Sequence, residues 1–291
     1  MTDLPYALNV VGASRYAVRM PLFPQVGHER WLSPGRALDI YFDHDPVQTL
    51  ERARHHFADQ PVDVNVVATA NRRKKLLIAD MDSTIINVEC LDELADMAGL
   101  KPVIAAITER AMRGEIAFEE ALRARVAMLK GLELAALQRV HDERIRLNPG
   151  AKTLLATMRA HGAHTLLVSG GFGFFTQRVA AAAGFHHDRA NDLLHDGAAL
   201  TGLVAEPILG REAKLAALEE AVAELGLSAQ DALAVGDGAN DLAMIQRAGL
   251  GVAYYAKPLV AAAAGASVTH TDLTTLLYLQ GYGDEEIVRA E

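Results

Sequence analysis

From residue 76 onward, short unbroken apolar runs alternate with helix-length stretches. The runs cover residues 76–79, 165–168, 232–235 and 251–253, with a weaker one at 267–269. Blocks this short, bounded by Gly or Asp and separated by helical patterns, predict buried parallel strands in a doubly wound α/β sheet. Ligands of such sheets collect beyond the carboxyl ends of the strands.

One interval breaks the rhythm. Residues 87–147 separate the first strand from the next βα unit and are mostly helix-forming, with an amphipathic stretch at 118–129. A connection that long needs its own structure, so it predicts a helical cap inserted over the strand ends. The core is then residues 73–86 and 148–291. Before it, residues 1–72 hold strand patterns at 7–11, 38–42 and 62–68 and a helical one at 47–58, which predicts a small separate α+β domain.

Composition narrows the class. With 51% hydrophobic and 22% charged residues the chain can bury a core. A net charge of −9, with basic residues dispersed apart from Arg72, Arg73, Lys74 and Lys75, gives no footprint for a nucleic-acid partner. That basic run is expected to be a solvated edge before a strand. The single Cys90 excludes an intramolecular disulfide and fits a reducing compartment. Residues 1–24 lack a basic start followed by an apolar core, and no charge-free apolar stretch approaches the ~18 residues of a spanning helix. A cytoplasmic protein without a membrane partner is the expectation, and the sequence leaves open a homodimer.

The first core strand runs into Asp80-Met81-Asp82-Ser83-Thr84. In extended chain, residues two apart face the same side, so both carboxylates can enter one pocket. An aspartate needs no base to attack phosphorus, and a second one can protonate a leaving alkoxide and later take a proton from water. Two carboxylates repel a phosphate monoester unless positive charge is supplied. Asp237, in Gly236-Asp237-Gly238-Ala239-Asn240-Asp241 after a strand, offers the hard oxygen that magnesium prefers, with Asp241 ligating directly or orienting the ligands. Lys214, in the helical segment 212–225, can meet a phosphoryl oxygen, and so can the hydroxyl and glycine amides of Ser169-Gly170-Gly171, aided by the dipole of the helix that follows.

Four such pieces in this order, three at strand ends and a lysine on the helix between, resemble the motifs of the haloacid dehalogenase superfamily over residues 76–255. The resemblance implies a Rossmann-like core with a helical cap. It implies Asp80 as nucleophile, Asp82 as acid and base, and Ser169 and Lys214 as phosphoryl binders. Mg2+ would be held by Asp80, Asp237 and the backbone carbonyl of Asp82, with Asp241 in support. The insertion is similar to that of the branch dephosphorylating O-phosphoserine, the last step of serine biosynthesis. By that resemblance Glu89 binds the amine and Arg125 the carboxylate. Met112 and Phe118 supply apolar lining, and Gly170 and Asn240 contact substrate. Longer bacterial members of the branch also carry an N-terminal domain, sometimes of the amino-acid-binding ACT type.

Other readings stay open on the residues alone. The substrate could be another small phosphomonoester, or the phosphoryl group could pass to a second alcohol. A metabolite-binding regulator with a retired site is a third reading, against which intact Asp80, Asp82, Lys214 and Asp237 speak. The histidine pairs His55-His56 and His186-His187, and His161 with His164, lack the partners of a zinc site. Cys90 is expected to pack rather than react.

Overall fold

The computed structural model describes residues 4–12, 28–112, 115–210 and 212–290, without the side chains of residues 111 and 112. The N-terminal unit comprises β1 (Tyr6–Gly12), β2 (His28–Ser33), β3 (Ala37–Phe42), α1 (Pro46–His56) and β4 (Val62–Ala68). Its strands form an antiparallel sheet in the order β2-β3-β1-β4. That order is the one of a ferredoxin-like split βαβ arrangement. Strand alternation divides β1 cleanly: Leu8 and Val10 pack with Ala53 and Phe57 on the α1 side, while Ala7 joins the main core on the other.

The main body begins with β5 (Leu76–Ala79). The cap follows as α2 (Cys90–Met97), α3 (Lys101–Met112), α4 (Phe118–Met128) and α5 (Leu134–Arg144). Then come α6 (Ala151–Ala160), β6 (His164–Phe172), α7 (Gly173–Ala183), β7 (His187–Asn191), β8 (Leu193–His195), β9 (Leu200–Val204) and α8 (Ala213–Glu224). The chain ends with β10 (Ala232–Gly236), α9 (Leu242–Arg247), β11 (Leu250–Tyr254), α10 (Pro258–Ala263), β12 (Ala266–Val268) and α11 (Thr275–Leu279). Six strands form a parallel sheet in the order β12-β11-β10-β5-β6-β7. Every residue of β5 is buried because both faces are covered: Leu77 and Ala79 pack on one side, Leu76 and Ile78 on the other. The strand order reverses between β5 and β10, which is where a doubly wound sheet opens a crevice.

The cap enters and leaves through one clasp. Ile86 bridges Leu147, the Asn87 N–H donates to Arg146 O (3.1 Å), and Asn148 Nδ2 donates to the carbonyls of Thr84 (2.8 Å) and Ile86 (3.1 Å).

Three features depart from the sequence reading. The hairpin β8–β9 is a second insertion that meets the cap, with Gly131 N–H donating to Leu200 O (2.9 Å) and Leu134 N–H to Ala198 O (2.9 Å). The basic run at 72–75 is not a solvated edge throughout. Its side chains alternate, so Arg73 and Lys75 are exposed while Lys74 is buried and Arg72 pairs through two nitrogens with fully buried Asp39. The N-terminal unit is also fastened to the body: Asn65 exchanges hydrogen bonds with the backbone of Ser267 at the free edge of β12 (3.0 and 2.8 Å), and Asp63 accepts the N–H groups of Thr269, His270 and Thr271.

Candidate active site

Asp80 directly follows β5 and donates its N–H to Val235 O on β10 (3.0 Å), placing it at the switch point. The next residues turn irregularly: Asp82 is extended (φ −67°, ψ 137°) and Ser83 is left-handed (φ 56°), a strained choice for a residue with a Cβ. Asp80 and Asp82 line one cavity of about 420 Å3, together with Asp237 and Asn240 from the loop after β10.

Asp82 is held from two sides. Its Oδ1 accepts the Cys90 N–H (2.9 Å) at the start of the cap, and its Oδ2 accepts the Ser169 hydroxyl (3.1 Å). Cys90 itself is buried packing, and burial raises its thiol pKa well above the usual range. The Ser169 Oγ also accepts the Gly171 N–H (2.8 Å). Strand β6 continues through both glycines, and α7 starts only at Gly173. The helix dipole expected at Gly170 and Gly171 therefore acts from a turn further on, and one glycine amide is already occupied.

Lys214 reaches in from α8. It is 3% exposed, and its Nζ lies 2.5 Å from Asp80 Oδ1 and 2.5 Å from Asp241 Oδ1. The other Asp241 oxygen accepts the Gly238 N–H (3.0 Å), and a Cβ at Gly236 would overlap the Asp241 carboxyl, so that glycine is needed for the approach. Asp237 Oδ1 accepts the Thr84 hydroxyl (3.3 Å).

Asp80, Asp237 and Asp241 each offer an oxygen within 4.8 Å of the others. Three carboxylates share one lysine, so the cluster carries excess negative charge. Burial, then the charge of Asp241, raises the pKa of Asp80 well above the carboxylate range despite Lys214. The same two causes push Asp237 up to about 6. Burial and the neighbouring carboxylate thus oppose ionisation of Asp80, and Lys214 offsets them in part. A second cation is needed, and an all-oxygen donor set fits a hard divalent ion. Lys214 is drawn down by burial, but Asp241 and Asp80 overcome this and keep it protonated. Asp82 is raised by burial, against the hydrogen bonds from Cys90 and Ser169, and so can carry a proton.

The cap supplies the far wall. Glu89 accepts the Ser83 hydroxyl (2.6 Å) and is pushed up to about 7 by burial and the charge of Asp82. Arg125 on α4 donates through Nε to Ala121 O (3.2 Å) and through Nη1 to Thr108 Oγ1 (3.5 Å). Phe118 rests against Gly170, where a Cβ would stand 3.4 Å from its ring. The side chain of Met112 lies outside the described residues. Asp92, Thr108 and Lys257 also line the cavity and were not singled out in the sequence. Asp92 stands three residues after Glu89, a helical spacing that was readable, while Thr108 and Lys257 arrive only through tertiary packing.

A doubly wound sheet whose switch point holds paired aspartates, a buried lysine and a carboxylate cluster defines a phosphomonoester hydrolase. Residues 77–246 match the family of haloacid dehalogenase-like hydrolases, and the chain belongs to that family. Its relatives there include the phosphoserine phosphatase of Polaromonas sp., 49% identical over 210 residues (70% of this chain, 89% of that protein). The phosphoserine phosphatase of Haemophilus influenzae is 42% identical, covering 72% of this chain and 66% of its own length. Among solved structures, a HAD family hydrolase from Salmonella enterica serovar Typhi superposes with a TM-score of 0.84 at 29% identity, covering 96% of this chain and 99% of its own. A phosphoserine phosphatase solved as a phospho-aspartyl intermediate analogue matches with a TM-score of 0.65 at 36% identity, over 70% of this chain and 98% of its own.

Proposed function

We propose that this protein hydrolyses O-phospho-L-serine to L-serine and phosphate through a phosphoaspartate on Asp80, with magnesium as its metal. The observation that carries the reading is that Glu89 and Arg125, opposite charges suited to an ammonium and a carboxylate, line the same cavity as Asp80 and Asp82.

Asp80 attacks phosphorus, and protonated Asp82 gives its proton to the departing serine oxygen. The carboxylate left on Asp82 then takes a proton from a water that attacks the acyl phosphate, which frees Asp80 and returns the proton. Ser169 turns its hydroxyl from Asp82 to a phosphoryl oxygen, and Lys214 neutralises the charge beneath. Asp80, Asp237 and the Asp82 carbonyl would hold magnesium, with Asp241 in support. Bound there, it supplies the positive charge that lets a phosphate dianion approach two carboxylates. Phe118 against Gly170 closes the apolar side, and the cap, hinged at its clasp, excludes bulk water.

The relatives' activity supports this substrate, and the free thiol of Cys90 is compatible with a cytoplasmic setting. Within serine biosynthesis the reaction is the last step. The N-terminal sheet has the strand order of the ferredoxin-like class, compatible with an ACT-like module, and its fastening to the β12 edge favours a fixed brace over a loose one. The test is phosphate release from phosphoserine against a panel of phosphomonoesters, with and without acceptor alcohols. Equal rates across the panel would end the substrate assignment, and transfer to an added alcohol in preference to water would make the protein a phosphotransferase.

A further inference from the structure

The cavity has a charge imbalance. Asp80, Asp82, Glu89, Asp92 and Asp237 line it, against Arg125 and Lys257 alone among the described residues. Lys214 is committed below the floor to Asp80 and Asp241, and Arg125 is anchored to the cap. Even with a divalent cation held by Asp80 and Asp237, Glu89 and Asp92 remain in the lining to repel an incoming phosphomonoester dianion.

Lys257 is the remaining cation. It is exposed and lines the cavity, and although its charge acts on Asp237 it makes no contact ion pair among the described residues. Its base is fixed at two points: the Tyr255 N–H donates to Val268 O (2.8 Å), and the Lys257 N–H donates to Asp237 O (3.3 Å). Tyr255, the first of these two points, is left-handed (φ 45°), and such strain persists only where the surroundings enforce it. The backbone of the lysine, just past the carboxyl end of β11, is thus hydrogen-bonded to the Asp237 loop.

We propose that Lys257 is the phosphate-receiving residue of the cavity mouth, capturing the substrate's phosphate dianion and passing it inward. The proposal rests on the reading of the site as a phosphatase. Capture at a rim acts on association and weakens with salt, because exposed charges are screened beyond a Debye length.

The experiment is steady-state hydrolysis of phosphoserine at saturating magnesium by wild type, Lys257→Gln, Lys257→Glu and Lys257→Arg, at low and high ionic strength. At low salt, kcat/KM should fall roughly three- to tenfold for Gln and further for Glu, with kcat nearly unchanged and Arg close to wild type. At about 0.5 M salt the gap should close to roughly twofold. The inhibition constant of inorganic phosphate should rise in parallel. Lys257→Glu matching wild type at low salt overturns the proposal, and so does a loss confined to kcat. A change in the magnesium requirement larger than the change in kcat/KM also overturns it, because the lysine would then serve the Asp237 loop. Absence of phosphate release by wild type sinks the phosphatase reading itself, a separate outcome.

Discussion

The Lys214 ammonium lies 2.5 Å from Asp80 Oδ1 in a site where the lysine is 3% exposed. At that distance and burial the pair is not an exposed ion pair of negligible worth. Removing one partner leaves an uncompensated buried charge. Lys214→Ala is therefore expected to lose at least ~100-fold in kcat and to destabilise the fold by about 3 kcal/mol. Phosphate release and urea unfolding measure the two effects. Activity within tenfold of wild type would remove Lys214 from the phosphoryl site.

Asp80→Asn keeps size and most hydrogen-bonding capacity but discards the oxygen proposed as the nucleophile. Turnover should vanish with unfolding stability preserved, and quenched reactions should yield no covalent phosphate where wild type yields some. Substantial turnover by the variant means the phosphoryl group is carried elsewhere or nowhere.

Glu89 links substrate choice to pH. Burial and the charge of Asp82 raise its carboxyl to about 7 in the empty site, so the ionised form that attracts an ammonium is lost as pH falls through that value. Because kcat/KM reports groups of the free enzyme, its acid limb for phosphoserine should bend near pH 7. Glu89→Gln should flatten that bend, and with Arg125→Ala it should damage phosphoserine turnover far more than turnover of an aryl phosphate. Equal losses on both substrates would mean that neither residue reads the amino acid.

Much of this site was legible before any coordinates. Strands β5, β6, β10 and β11 are short and buried on both faces, so they stand out as apolar blocks, and Asp80, Asp82, Ser169 and Asp237 sit where those blocks end. Two edge strands were not legible: β2 reads HERWLS and β7 reads HDRAN, and their side chains largely meet solvent or other polar groups. Asp196-Gly197 lies in the turn of the β8–β9 hairpin, whose strands of three and five residues were too short to register. Arg72 and Lys74 were misjudged because charge was weighed without strand alternation. Lys257 and Thr108 reach the cavity from elements distant in sequence, and no spacing rule brings them there.

Raised carboxyls also make stability depend on pH. Asp237 moves from 3.8 to about 6 and Glu89 from 4.5 to about 7, so between those limits the folded chain binds more protons than the unfolded one. The stabilisation is complete below about pH 4 and is lost as pH rises through the folded values, so the metal-free protein should melt at lower temperature at pH 8 than at pH 5.5. Magnesium should raise the melting temperature more at pH 8, where the carboxylates are bare. A melting temperature that is flat or rises over this window without metal would mean these two groups do not hold extra protons in the folded chain.

Arg72 and Asp39 decide how firmly the N-terminal sheet is held. Arg72 Nη1 and Nη2 both reach Asp39, Nε donates to Leu279 O (2.7 Å), and Nη2 also donates to Tyr278 O (3.1 Å). One side chain thereby ties β3 to α11. Since Asp39 is fully buried, Arg72→Ala strands a carboxylate with only Asn9 and Tyr41 to hold it. The expected cost is about 3–5 kcal/mol in urea unfolding. Chemistry at Asp80 should be spared, with kcat near wild type at low temperature, because Arg72 lines no part of the catalytic cavity. A loss of stability under about 1 kcal/mol would mean the sheet is anchored elsewhere, at Asp63 and Asn65.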